Sequence, residues 1–107
     1  MSNKIWIQET WVNQEKEYII GDSGVYETWA ELDQKGKLFK SLQKEYGRCA
    51  SKMYIDTDDP KNPKVIGWVF EKKEKYTDVN ETYIQETWIT LHTQPPDHTT
   101  KYHYIEA

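Results

Sequence analysis

Residues 65–91 read VIGWVFEKKEKYTDVNETYIQETWITL, and no other part of the chain is so dense in strand-forming residues. Val65–Phe70 supplies Val, Ile, Trp, Val and Phe with one Gly; Tyr83–Leu91 supplies Tyr, Ile, Thr, Trp, Ile, Thr and Leu. Both compositions mark strands. The charged string between them reads as the projecting end of an antiparallel pair. Its turn falls at Thr77–Asn80, where Asp78 and Asn80 bond to nearby backbone and tolerate unusual φ.

The pair has a preferred register. With Tyr76 opposite Tyr83, Phe70 faces Ile89, Trp68 faces Leu91 and Lys73 faces Glu86. A slip of two residues sets Glu71 against Glu86, which like-charge repulsion disfavours. The preferred register gathers Ile66, Trp68, Phe70, Tyr83, Ile89 and Leu91 on one face, the expected core. Val69, Lys73, Ile84, Glu86 and Trp88 share the other. That mixed face implies partial cover by a helix, a terminal strand or another subunit.

Outward from the hairpin, Ile5–Val12 alternates as a strand, with Ile5, Ile7 and Trp11 on one face and Trp6 and Val12 on the other. Asn13–Lys16 is a polar turn. Glu17–Ile20 is a short strand ended by a turn at Gly21-Asp22-Ser23-Gly24. Val25–Leu32 fits helix or strand, and its β-branched and aromatic content favours strand. Lys37–Tyr46 is the helix, from its apolar stripe Leu38, Phe39, Leu42 and Tyr46. Gly47 stops it; its start lies near Gly36, with Asp33 as a cap if it begins earlier. Arg48–Thr57 is a strand centred on Met53–Ile55, Asp58–Lys64 is a loop, and Lys101–Ile105 is an edge strand or a segment that packs on a partner. The expected fold is α+β: one domain, 1–107, with a largely antiparallel sheet of four to six strands and one main helix (about 36–46) on one face.

The totals narrow the function. At 107 residues the chain is one domain. Fourteen basic against 18 acidic residues leave no positive track for duplex nucleic acid. The hydrophobic fraction of 36 % is thin, but five Trp, eight Tyr and two Phe compensate, because each large ring buries about 150–250 Å². One cysteine, Cys49, excludes an intrachain disulfide and a cysteine-built zinc site. No signal-peptide core or membrane span is present, so the expected compartment is the cytoplasm. The sequon Asn80-Glu81-Thr82 then reads as coincidence.

One near-repeat stands out. Ile7-Gln8-Glu9-Thr10-Trp11-Val12 and Ile84-Gln85-Glu86-Thr87-Trp88-Ile89 differ only by a Val/Ile exchange, and Tyr26-Glu27-Thr28-Trp29 echoes part of them. The flanks do not repeat, so no solenoid is implied; shared strand structure explains the strings better than a duplicated ligand motif. In each copy Glu and Trp lie two apart, hence on one strand face. If the copies met, Glu9 and Glu86 would form a candidate acid/base pair or cation site in an aromatic setting. The structural alternative is that each carboxylate bonds a neighbouring Lys or Arg, as Lys73 opposite Glu86 suggests. The candidate binding residues are Glu9, Trp11, Ile84, Glu86 and Trp88.

Other chemistry is weaker. His92, His98, His103 and Asp97 match no compact metal spacing. Asp56, Asp58 and Asp59 lack the remaining ligands of a calcium loop. Arg48 could lower the pKa of Cys49, but a small buried hydrophobe is the commoner role there. Gly21-Asp22-Ser23-Gly24 also occurs around the nucleophile of trypsin-like serine proteases; their two barrels and distant His and Asp exceed this chain. No cofactor is expected.

The favoured function is a small non-enzymatic protein-interaction or accessory module, with a protein partner or self-association as a homodimer, because one helix cannot cover both faces of such a sheet. One alternative is a ligand-binding domain or enzyme using Glu9 and Glu86 in a helix–sheet pocket. Another is a single-strand nucleic-acid binder stacking bases on Trp6, Trp11, Trp68 and Trp88, with local positive patches at Lys72, Lys73 and Lys75 and at Lys35, Lys37 and Lys40.

Overall fold

The computed structural model describes residues 3–13, 18–30, 36–55, 59, 61–77, 79–97 and 99–107. Their elements run β1 (Asn3–Asn13), β2 (Tyr18–Ala30), α1 (Lys37–Tyr46), β3 (Ser51–Ile55), β4 (Gly67–Thr77), β5 (Thr82–His92) and β6 (Tyr102–Glu106). The strands form one six-stranded sheet in the order β2-β1-β5-β4-β3-β6. Every neighbouring pair is antiparallel. With the single helix this is the expected α+β architecture.

The hairpin has the derived register: Tyr76 opposite Tyr83, Lys73 opposite Glu86, Phe70 opposite Ile89 and Trp68 opposite Leu91. The rings of Tyr76 and Tyr83 stack at 5.8 Å, and Lys73 Nζ lies 3.5 Å from Glu86 Oε1. The main core cluster lies on one face, where Ile5, Ile7, Phe70, Ile89 and Leu91 are buried with Phe39 of α1, while Val12, Met53 and Val69 are buried on the other. Phe39 meets Trp68 and Phe70 edge-on, at 5.4 and 5.6 Å between centroids. Each such side chain contributes about 1.5–3 kcal/mol through removal from water.

Trp68 and Tyr83, expected inside, are only half-buried. Length explains Tyr83. The ten residues of α1 span about 15 Å, whereas the eleven of β5 span about 37 Å, so the distal hairpin extends past the helix. The helix begins after an extended Gly36, whose carbonyl accepts from the Lys40 N–H. It ends at Gly47, with φ 88° and its N–H donating to Gln43 O. The candidate cap Asp33 lies outside the described residues, as do residues 14–16 of the expected polar turn and Leu32.

The Gly21–Gly24 turn is a correction. The chain does not reverse there: one strand, Tyr18–Ala30, runs through it. The turn chemistry instead inserts extra residues into the β1–β2 ladder. Gln8 faces Val25, but Thr10 faces Asp22, and a second shift follows between Trp11 and Val12. Asp22 Oδ1 accepts from the Gly24 N–H at 2.7 Å, and Ser23 Oγ takes the Glu9 N–H at 3.0 Å in place of a ladder carbonyl. Gly24, at φ 72°, adopts the left-handed backbone such a bulge uses. Val25–Ala30 is strand, as its composition favours.

The remaining strands fall where expected, and the C-terminal segment is an edge strand paired with β3. Gly67 has a packing role. A Cβ there would press on Met53 Cε and approach the Leu91 carbonyl oxygen to 2.6 Å. Among the described residues, no helix is long and apolar enough to cross a membrane.

Candidate functional site

The two copies of the repeat lie on adjacent strands. β1 and β5 pair so that Thr10 faces Trp88, Trp11 faces Thr87 and Val12 faces Glu86. Glu9 is three residues from Val12, and an odd separation along a strand points to opposite faces. Glu9 and Trp11 therefore lie on the face that α1 packs against. Ile84, Glu86 and Trp88 lie on the other. The carboxylates do not converge, and the proposed pair is not assembled. Glu86 bonds Lys73 instead.

Half of the expected helix–sheet pocket is present. A hollow of about 310 Å³ between α1 and the sheet is lined by Glu9, Glu45, Tyr46, Leu42 and neighbouring aliphatic groups. The Tyr46 phenol is pushed above its ordinary range, chiefly by burial, with the Glu45 and Glu9 charges adding to it. That favours a neutral phenol rather than a phenolate base. Lys72 sits 4.8 Å from the Tyr46 ring centroid and pairs with Glu45 and Glu74.

The uncovered face holds the better-formed concavity. The sheet curls so that its two outermost strands, β2 and β6, wall the same hollow of about 480 Å³, with Val25 on one side and Tyr102 and Tyr104 on the other. Trp88, Thr90 and His92 of β5 line its floor. Trp88, Thr90 and Tyr104 continue into an adjoining hollow of about 310 Å³ beside Val69 and Glu71.

His92 is the chemically distinctive group there. It is 5 % exposed, and its Nε2 has no hydrogen-bond partner among the described residues. Its ring meets that of Tyr102 edge-on at 5.8 Å. Burial lowers its pKa below the ordinary histidine value, because desolvation penalises the imidazolium. The neutral ring is the form at pH 7. Tyr102 is fixed by the loop before β6, whose Asp97 N–H donates to the Tyr102 hydroxyl at 3.1 Å.

Of the candidate binding residues, Trp88 lies in this hollow. Glu86 and Ile84 share its face farther along β5, while Glu9 and Trp11 are on the other side. Thr90, Tyr102 and Tyr104 were not among the candidates, and His92 was weighed only as a metal ligand. The alternation through Ile84, Glu86 and Trp88 continues to Thr90 and His92, and that is the signal that identifies two of them.

The other candidates disperse. His103 stacks on Tyr54 at 5.4 Å, on the opposite face from His92, and His98 is outside the described residues. No group of three or more potential metal ligands forms among the described residues. Asp56 and Asp58 also lie outside them; Asp59 Oδ1 accepts from the Lys61 N–H. Cys49 Sγ approaches the carbonyls of Ser51 and Val69, and burial pushes its thiol up in pKa. Arg48 faces Glu106, at 3.8 Å. The four tryptophans split between faces, Trp11 and Trp68 on the helix side and Trp6 and Trp88 on the open side.

No protein-family model, no curated protein and no solved structure matches this chain.

Proposed function

We propose that the protein is a small non-enzymatic interaction module that pairs through the free edge of β2, with a second copy of itself as the first partner. The supporting observation is the state of that edge. Among the described residues, β2 has β1 on one side only. Its Val25–Ala30 half is in unbroken register, and Trp29 is 68 % exposed with Val25 and Tyr26 also open. Free edges are normally blunted by bulges, lysines or cover. Here the bulging is confined to the first half of the strand. A regular edge with exposed apolar side chains, here flanking the charged Glu27, is open to strand addition, in which backbone hydrogen bonds give affinity and alternate side chains give selectivity. Two copies meeting edge to edge would form a closed, two-fold assembly.

The alternatives have less support. The helix–sheet hollow contains Glu9 without Glu86. The lysines proposed for a single-stranded nucleic acid include Lys72 and Lys73, both held by carboxylates, and the tryptophans do not form one stacking platform.

Sedimentation equilibrium at micromolar concentration tests the reading. The expected mass exceeds the 12.8 kDa of one chain and returns to it in Trp29→Lys. A wild-type mass of one chain overturns self-association.

A further inference from the structure

The helix-side hollow contains a charge that the fold leaves unmatched. By register Glu9 lies on the face that α1 packs against, and it is half-buried there. It lines the hollow of about 310 Å³ with Glu45, Tyr26, Tyr46 and the aliphatic side chains of Leu38 and Leu42. The accessible lining is mostly polar, and the two carboxylates and two phenols are the polar side chains in it. Among the described residues no cation pairs with the Glu9 carboxylate, whereas Glu45 shares Lys72 with Glu74, at 3.4 and 3.0 Å. Lys72 is thereby matched by two anions. The Glu9 charge stands alone beside the Tyr46 phenol, whose pKa it helps to raise. Charges taken out of water are normally paired, so a cation is the missing partner. The hollow also restricts which cation. A calcium ion takes about six to eight oxygen ligands, and no third Asp, Glu, His or Cys joins Glu9 and Glu45 among the described residues. A quaternary ammonium needs open aromatic faces, but the Tyr46 ring already has the Lys72 ammonium 4.8 Å from its centroid. A primary ammonium needs acceptors instead, and Glu9 and the neutral Tyr46 hydroxyl supply them.

We propose that this hollow binds a small primary alkylammonium compound, its NH3+ group donating to the Glu9 carboxylate and the Tyr46 hydroxyl oxygen and its stem lying against Leu38 and Leu42. The size fits, since about 310 Å³ is at the lower end of the roughly 300–1,000 Å³ of small-molecule sites. Every lining residue belongs to one chain, so the site is complete whether or not β2 pairs with a second copy.

The probe is n-butylammonium chloride, with 1-butanol as the uncharged analogue of the same length, titrated into the full chain at constant ionic strength and followed by NMR of the tyrosine rings and side-chain carboxyls. Saturable one-to-one binding of the amine is expected, with shifts centred on Glu9, Tyr46 and Leu42. The alcohol should bind at least about tenfold more weakly. Glu9→Gln should weaken the amine by at least about fivefold. Glu86→Gln makes the same change in the other copy of the repeat, on the opposite face, and should leave binding as it was. Tyr46→Phe, which keeps the ring and removes the hydroxyl acceptor, should cost about two- to fivefold and serves as the second variant if the Glu9 protein does not fold. Failure of the amine to saturate up to about 100 mM overturns the proposal. So does equal binding of the alcohol, which would make the hollow merely apolar. Equal losses in Glu9→Gln and Glu86→Gln also overturn it, because they mark diffuse attraction to an acidic surface. Displacement of the amine by equimolar Ca2+ would make this an inorganic cation site and overturns it as well.

Discussion

Glu9-Thr10-Trp11 and Glu86-Thr87-Trp88 are the same letters on neighbouring strands in opposite surroundings. In β1 the Glu and Trp lie on the helix side, where Trp11 sits over Gly21 and Glu9 borders α1. In β5 they face the open side, where Glu86 holds Lys73 and Trp88 forms part of the hollow's floor. Thr87 is 4 % exposed on the helix side, while Thr10 lines the open hollow. A strand's sequence specifies which residues share a face. Register against the neighbour specifies which face that is, and a one-residue offset exchanges them all. The two faces then differ in kind: one is a core sealed by Phe39, the other a concave surface where Val12, Met53 and Val69 are buried beside polar groups and a buried imidazole.

That contrast is broken most directly on stability. Phe70→Ala removes a fully buried ring between Phe39 and Ile89 and should cost about 3–5 kcal/mol in urea unfolding. Ile84→Ala, on the open face and 37 % exposed, should cost under about 1 kcal/mol. Comparable losses would mean that the open face is a second core, sealed by something that buries Ile84.

The helix-side core was largely legible. Ile66, Phe70, Ile89 and Leu91 follow from alternation and one charge pair, because like charges opposed at Glu71 and Glu86 exclude the competing register. The helix is equally plain, since Leu38, Phe39, Leu42 and Tyr46 fit no other period. Two things were not legible. Gly21-Asp22-Ser23-Gly24 carries the same turn chemistry whether the chain reverses or bulges. Only the neighbouring strand decides, through the Glu9 N–H that Ser23 accepts. The open-face site was also hidden. It needs β2 and β6, far apart in sequence and at opposite edges of the sheet, to curl toward each other. Sequence alternation places Thr90 and His92 beside Trp88 but says nothing of Tyr102 and Val25 closing over them.

The second contrast is one of protonation. At pH above about 6.5, the ordinary histidine value, His92 is neutral folded and unfolded and adds no slope to stability. Below it, the unfolded chain takes up a proton that the buried ring resists, so stability should fall with pH until the lowered folded pKa is passed. One proton limits the slope to about 1.4 kcal/mol per pH unit. Glu27 and Glu74 are held below their ordinary 4.5 by Lys4 and Lys72, so their contribution fades only at more acid pH. The interval from about 6.5 down to 4.5 is therefore where the buried imidazole contributes. Unfolding free energy measured across it should fall in wild type and flatten in His92→Phe. A slope that persists unchanged in the variant would place the titrating group elsewhere.

The smallest effect separates the two glutamates themselves. Lys73 and Glu86 are 58 % and 15 % exposed at their side chains, so one partner is in water and the pair is partly screened. A double-mutant cycle with Lys73→Met and Glu86→Gln should give a coupling of about 0.2–1 kcal/mol, decreasing with salt. The same lysine in a cycle with Glu9→Gln should be additive, because Glu9 lies on the far side of the sheet. The pair's importance for specificity would exceed its coupling energy. Lys73→Glu sets like charges directly opposite each other in the native register, a cross-strand arrangement that destabilises the pair. It also removes the electrostatic preference over the slip that opposes Glu71 to Glu86. Since a two-residue slip keeps every side chain on its own face, Lys73→Glu should broaden hairpin amide signals without moving Phe70 out of the core. Sharp, singly populated signals in that variant would show that Phe70 against Ile89 and the Tyr76–Tyr83 stack hold the register without the charges.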